Sequence, residues 1–212
     1  VVSGFSRLIP RKVIKSTRVA TVNIHQSLLP TYRGRHPLNW AIINGENYTG
    51  VNLHHLSEKF DEGNIILQKK VKISGDDTIM DIYWKTVVKG RELLGAFYKS
   101  AKNGDIKGFR QNSGLASYFP PRKPIDGRID WKGSAVNIHN LIRALTYPYP
   151  GAYFYSKRKK WVIEEAQVIS KGPTDSKVGE PVFYRGDCLV KTGSGFIKIN
   201  RLRNHKLVEI KN

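Results

Sequence analysis

The sequence predicts an α/β protein, the later part of a doubly wound domain followed by a small antiparallel sheet or barrel. Three observations predict it. The β-branched run Val19-Ala20-Thr21-Val22 reads as a buried strand, and it delivers Asn23 and His25 to a loop forced by Pro30 and Gly34. Strand and helix periodicities then alternate to about residue 102, the pattern of an open sheet covered by helices. From Ala152 onward short β-rich runs are broken by Gly172-Pro173, Gly179, Gly186 and Gly193-Ser194-Gly195, which suits a small β unit.

Taken in order, Val1-Val2 reads as the tail of a strand already under way. Ile9, Val13 and Ile14 lie at helical spacing behind Pro10, a short helix. Pro37 to Ile43 is a second helix with Gly45 just past its end. Thr49 to Leu56 alternates apolar and polar residues and reads as a strand, and Ile65 to Ile73 reads as another. Asp77 and Thr78 are N-cap candidates for a long helix that reaches about residue 102, with Ile79, Ile82, Tyr83, Val87, Leu94, Phe97 and Tyr98 on one face. Glycine and proline crowd residues 111–127, a loop or linker by composition. Ser134 then caps an amphipathic helix that turns Ala135, Ile138, Leu141, Ile142 and Leu145 inward. The division expected is a domain over residues 1–112, a linker over 113–127 and a second domain over 128–212.

With 212 residues the chain can bury a substantial core, and no apolar run approaches the ~20 residues of a membrane span. A single cysteine, Cys188, excludes an intrachain disulfide and fits a cytoplasmic setting. The net charge is +19, spread evenly over the chain, and only Lys157-Arg158-Lys159-Lys160 forms a basic run. Such a field favours anionic partners, nucleotides and folates as much as nucleic acid, and does not choose among them.

The chemistry gathers in two phrases. Asn23 and His25 are two residues apart, so strand alternation turns both to one side, where an open sheet places its ligand. The phrase Asn23-Ile24-His25-Gln26-Ser27-Leu28-Leu29-Pro30-Thr31-Tyr32-Arg33-Gly34, with Phe60-Asp61-Glu62-Gly63-Asn64-Ile65-Ile66 after it, resembles the signature of the folate-dependent formyltransferases. Tyr118-Phe119-Pro120-Pro121-Arg122, Gly127-Arg128-Ile129-Asp130-Trp131 and Pro148-Tyr149-Pro150-Gly151-Ala152 resemble the carboxyl-terminal region of the family's sugar and methionyl-tRNA enzymes.

That resemblance implies a Rossmann-like catalytic domain lacking its amino-terminal part and a carboxyl-terminal OB-like barrel. It implies formyl transfer from N10-formyltetrahydrofolate to an amine, with no metal. The expected catalytic residues are Asn23 as a donor to the formyl oxygen, His25 as a second donor or a proton handler, and Asp61 to orient His25 or relay the proton. Carried over by position, Phe5, Arg7, Leu8, Ile9 and Glu58 would meet the folate. Ser27, Tyr32, Arg33, Arg35 and Trp40 would meet the acceptor. His54 and His55, with side chains on opposite faces of a strand, read as structural.

The loop from Tyr32 to Trp40 resembles the nucleotide-sugar enzymes more than the tRNA enzymes, so a nucleotide-linked amino sugar is the acceptor expected. Methionyl-tRNA is the alternative, with tRNA a partner only in that case. A non-catalytic OB-like nucleic-acid module is a second alternative. No membrane partner is expected, and a homodimer is left open. The missing front implies an open flank to the cleft, weak folate binding and slow turnover.

Overall fold

A computed structural model describes residues 1–5, 7–204 and 206–209. In chain order the elements are β1 (Val2–Ser3), α1 (Arg11–Lys15), β2 (Val22–His25), β3 (Arg33–Gly34), α2 (Pro37–Ile43), β4 (Tyr48–His55), β5 (Ile65–Lys72) and α3 (Ile79–Lys102). They are followed by β6 (Tyr118–Phe119), α4 (Ala135–Ala144), β7 (Ala152–Ser156), β8 (Lys159–Ile169), β9 (Pro181–Tyr184), β10 (Asp187–Lys191), β11 (Phe196–Asn204) and β12 (Lys206–Glu209). Among the described residues no helix is long and apolar enough to cross a membrane.

The chain divides into two compact units, the first holding Val1–Ala41, Glu46–Gly75 and Asp81–Pro121, the second the remainder. In the first unit the sheet runs β1-β2-β4-β5, with β1 parallel to β2, and with β4 and β5 added antiparallel. Strand alternation sorts β2 and β4 into two faces. Val22, Ile24 and Leu53 pack with Phe97 and Leu94 of α3, while Asn23 and His25 alternate to the opposite side. The register pairs Asn23 with His54 and His25 with Asn52, so these four polar residues share that side. Full burial of an aliphatic or aromatic side chain such as Val22, Leu53 or Phe97 contributes about 1.5–3 kcal/mol.

Three local expectations are corrected here. Val19 is 62% exposed and the strand begins only at Val22, with Thr21 before it bonding the Ile14 carbonyl through its hydroxyl (3.0 Å). On α3 the buried positions are Ile79, Ile82, Thr86, Gly90, Leu93 and Phe97, a narrow stripe at spacings of three and four. Tyr83 and Tyr98 lie off that stripe and are exposed, as are Trp84 and Val88. The segment 111–119, rich in loop formers, includes β6, whose Tyr118 and Phe119 pair in parallel with Arg33 and Gly34.

In the second unit an antiparallel sheet runs β7-β8-β11-β10-β9, with β12 also on β11. The Ser134 hydroxyl accepts from the Asn137 amide (3.1 Å) and starts α4, whose Ala135, Ile138 and Ile142 join Ile163, Ile197 and Val190 in one core. Leu141 packs only partly against it. The basic run forms the β7–β8 hairpin: Lys157 and Arg158 both take positive φ (48° and 63°), as a two-residue turn between twisted strands requires, and all four cations are exposed.

Candidate active site

β2 carries Asn23 and His25 on its polar side, β4 brings His54 opposite Asn23, and the turn after β4 supplies Asp61. One carboxylate oxygen of Asp61, Oδ1, lies 3.6 Å from His25 Nδ1 and 3.5 Å from His54 Nε2. Asn23 Nδ2 donates to His54 Nε2 at 3.2 Å. The second carboxylate oxygen accepts from the Gly34 amide at 2.9 Å. Both imidazoles thus meet at one carboxylate oxygen, and Asn23 joins the group through His54.

The backbone fixes both imidazoles. His25 Nε2 donates to the Tyr32 carbonyl (2.8 Å), and His54 Nδ1 donates to the His55 carbonyl (2.9 Å). A neutral ring therefore presents a bare nitrogen to Asp61, and only the imidazolium presents an N–H. Contacts of 3.5–3.6 Å are longer than closed hydrogen bonds. The arrangement suits one proton held between Oδ1 and His25 Nδ1, with the His54 Nε2 lone pair turned to Asn23. Asn23, having spent one N–H on His54, has a second to offer.

The loop between β2 and α2 is tied down by side chains. Asn52 Nδ2 donates to the His25 and Ser27 carbonyls (3.2 and 3.0 Å), Gln68 donates to the Leu29 carbonyl (3.1 Å), and the Ser27 hydroxyl donates to the Thr31 carbonyl (2.9 Å). Gly34 lies at φ 96°, and an added Cβ would fall 2.5 Å from the Phe119 carbonyl oxygen, so only glycine fits there.

Burial, the largest influence, lowers the His25 pKa from its ordinary 6.5, and the Asp61 charge opposes the shift. For Asp61 burial acts upward, but the His54 imidazole 3.5 Å away, the His25 charge and the Gly34 amide together hold its carboxyl below the usual range. Both shifts make acid unfavourable to the fold. As pH falls below 6.5 the unfolded chain takes up a proton at His25 that the folded chain refuses. Stability drops until the lowered value is passed, and Asp61 adds a second loss below 3.8. Urea unfolding across pH 7.5 to 5 should show the protein losing stability more steeply than a His25→Gln variant. Equal slopes would contradict the buried, neutral His25.

Of the other residues expected at the site, Ser27 and Arg33 are corrections. Ser27 is fully buried and bonded to Thr31, and Arg33 is 3% exposed with its guanidinium donating to Gln111 and Tyr118, so neither faces an acceptor. Tyr32 stacks on Phe119 at 4.7 Å and donates its hydroxyl to Glu46, and Trp40 packs on the same ring while its indole donates to the Pro120 carbonyl. Arg35 is exposed. Phe5, Arg7 and Leu8 are exposed, Ile9 is half-buried, and Glu58 pairs with Arg11 at 3.0 Å on the surface.

Sequence reasoning set His54 aside and missed Gln111. His54 does point away from His55, whose Nε2 donates to the Ile106 carbonyl, but the side it takes is that of Asn23. The β2–β4 register is the signal that finds it. Gln111 donates from Nε2 to the Asp61 and Gly63 carbonyls, both at 2.7 Å, and nothing in its glycine-rich surroundings marks it.

Comparison with known proteins gives the family. Residues 1–96 match the formyl transferase family and residues 122–212 match the formyl transferase C-terminal domain. The N-formyltransferase of Helicobacter canadensis, solved with folinic acid and dTDP-3-aminofucose, is similar at 27% identity and a TM-score of 0.74, covering 92% of this chain and 70% of that one. WlaRD, a sugar 3N-formyl transferase solved in the presence of dTDP and 5-N-formyl-THF, is similar at 28% and 0.73, covering 93% and 69%. The methionyl-tRNA formyltransferase of Clostridium thermocellum shares the fold at 18% and 0.63, covering 97% and 75%. The chain belongs to the folate-dependent formyl transferases, enzymes that draw their formyl group from N10-formyltetrahydrofolate, and it matches both the formyl transferase model and the C-terminal domain model.

Proposed function

We propose that this protein transfers a formyl group from N10-formyltetrahydrofolate to the amine of a nucleotide-linked amino sugar, with Asn23, His25, His54 and Asp61 as its catalytic group. The observation that carries the sugar reading is the 27–28% identity to two sugar N-formyltransferases over more than nine-tenths of the chain.

The donor set fits the formyl end of the folate. A carbonyl oxygen calls for an N–H donor, which the second hydrogen of the Asn23 amide supplies, and an acylated amine must lose a proton, which calls for a nearby base. When bound, the folate supplies the formyl carbon and the nitrogen it leaves. Asp61 is the base. Its Oδ1 takes the amine proton, which His25 Nδ1 beside it can share until it is passed to the departing nitrogen, while His54 Nε2 stays an acceptor from Asn23. The Tyr32 and His55 carbonyls keep both rings turned toward Asp61 throughout. Phe5, Leu8 and Ile9 are the residues that would lie along the folate, and Arg35 is the exposed cation that would meet an acceptor phosphate.

The +19 charge and the exposed hairpin cations at Lys157–Lys160 favour a second acceptor, methionyl-tRNA. An assay offering the protein N10-formyltetrahydrofolate with dTDP- and UDP-linked amino sugars, and separately with methionyl-tRNA, separates the two. Formylated sugar is the expected product. Transfer to methionyl-tRNA alone would reverse the ranking.

A further inference from the structure

Asp61 has φ 56°, in the left-handed region that residues other than glycine seldom occupy. The Gly34 amide grips its side chain. Its backbone is gripped separately, by a residue 50 positions further on. Gln111 is 7% exposed, and its amide donates to the carbonyls on either side of Glu62, those of Asp61 and Gly63. Its own oxygen accepts twice from the Arg33 guanidinium, from Nε at 3.1 Å and from Nη2 at 2.6 Å. All four hydrogen-bonding positions of the Gln111 amide are therefore in use. Its orientation is fixed as well, since a guanidinium only donates and the two carbonyls only accept. The third nitrogen of Arg33, Nη1, donates to the Tyr118 hydroxyl, which donates to Glu62 Oε1 at 2.5 Å. The turn from Asp61 to Gly63 is thus held through two backbone carbonyls and one side chain, all traced back to Arg33.

We propose that Gln111, locked by Arg33, is a positioning residue that holds Asp61 between His25 and His54, a role that rests on Asp61 being the proton acceptor. Removal of the Gln111 amide leaves two carbonyls of the turn without their buried donor. The strained Asp61 backbone is then free to relax toward negative φ, which swings the carboxylate away from both imidazoles. A misplacement of about 1 Å in a reacting group costs roughly 10²-fold in rate.

The test uses Gln111→Leu and Gln111→Glu, with circular dichroism to establish that each is folded. The glutamate keeps the volume and the partner for Arg33 but has no hydrogen to give the turn, so it serves if the leucine variant does not fold. Turnover should fall about 10²-fold in both, with KM for folate and acceptor changed less than threefold. The His25 imidazole, followed by NMR without substrates, should titrate lower than in the parent, in the same direction as in Asp61→Asn, because the carboxylate that favours its charged form has moved away. A folded variant with parental turnover and an unmoved His25 titration overturns the proposal. If Asp61→Asn keeps full turnover while Gln111→Leu still shifts His25, Gln111 does position Asp61 and the proton-acceptor reading is what fails.

Discussion

An Asp61→Asn variant should lose about 10²–10⁴-fold in kcat, with little change in KM and no loss of fold. The substitution is a narrow one in this structure. Asparagine keeps an oxygen for the Gly34 amide, which now bonds Asp61 Oδ2 at 2.9 Å. It also tolerates the left-handed backbone at φ 56° better than most residues. What it removes is the negative charge 3.6 Å from His25 Nδ1 and 3.5 Å from His54 Nε2, and with it the acceptor for the amine proton. The loss corresponds to about 2.7–5.5 kcal/mol of transition-state stabilisation. Steady-state kinetics with a saturating acceptor would measure it, with urea unfolding as the control for fold. A variant within threefold of the parental kcat would remove Asp61 from the mechanism.

How far this site could be read from the sequence depended on the range of the forces that build it. Asn23 and His25 were legible because they are two residues apart on one strand, and strand alternation is local. Asp61 was legible because the phrase around it is short and specific. His54 was not, since its part depends on the pairing of β2 with β4, which sets Asn23 opposite His54. Arg33 was misread as a substrate contact, because nothing local shows that a guanidinium at the edge of a loop is turned inward onto Gln111. The same holds for Tyr83 and Tyr98: their spacing fits a broad apolar face, but the sheet covers only a stripe of α3. In the second unit the alternation of short β runs with glycines sufficed to foretell an antiparallel sheet. The order β7-β8-β11-β10-β9 is set by long-range pairing and could not be read locally.

Gly63→Ala is the substitution expected to do most damage to the fold around the site, and the reason is steric. Gly63 does not lie at positive φ, so the alanine backbone itself would be unstrained. The methyl group is the difficulty. An added Cβ would fall 1.7 Å from the His55 carbonyl oxygen and 2.7 Å from its carbon, a distance at which backbone must move. That carbonyl accepts from His54 Nδ1 (2.9 Å) and so sets which nitrogen His54 turns to Asp61 and Asn23. One residue further on, the Asn64 carbonyl accepts from the His55 amide at 2.9 Å and closes the neck of the loop. The Gly63 carbonyl is itself one of the two that Gln111 holds. Relief of the clash therefore opens the neck of the loop, frees His54 and releases the turn bearing Asp61 together. Overpacking of this kind typically costs 1–3 kcal/mol, and with backbone as the obstacle the loss should be about 3 kcal/mol or more. Turnover should fall at least 10²-fold alongside it, since the proton acceptor and one of its two imidazoles are displaced at once. Urea midpoints and kcat measured on the same preparation would check both. A Gly63→Ala protein with the parental midpoint and kcat would mean that the loop does not lie against His55.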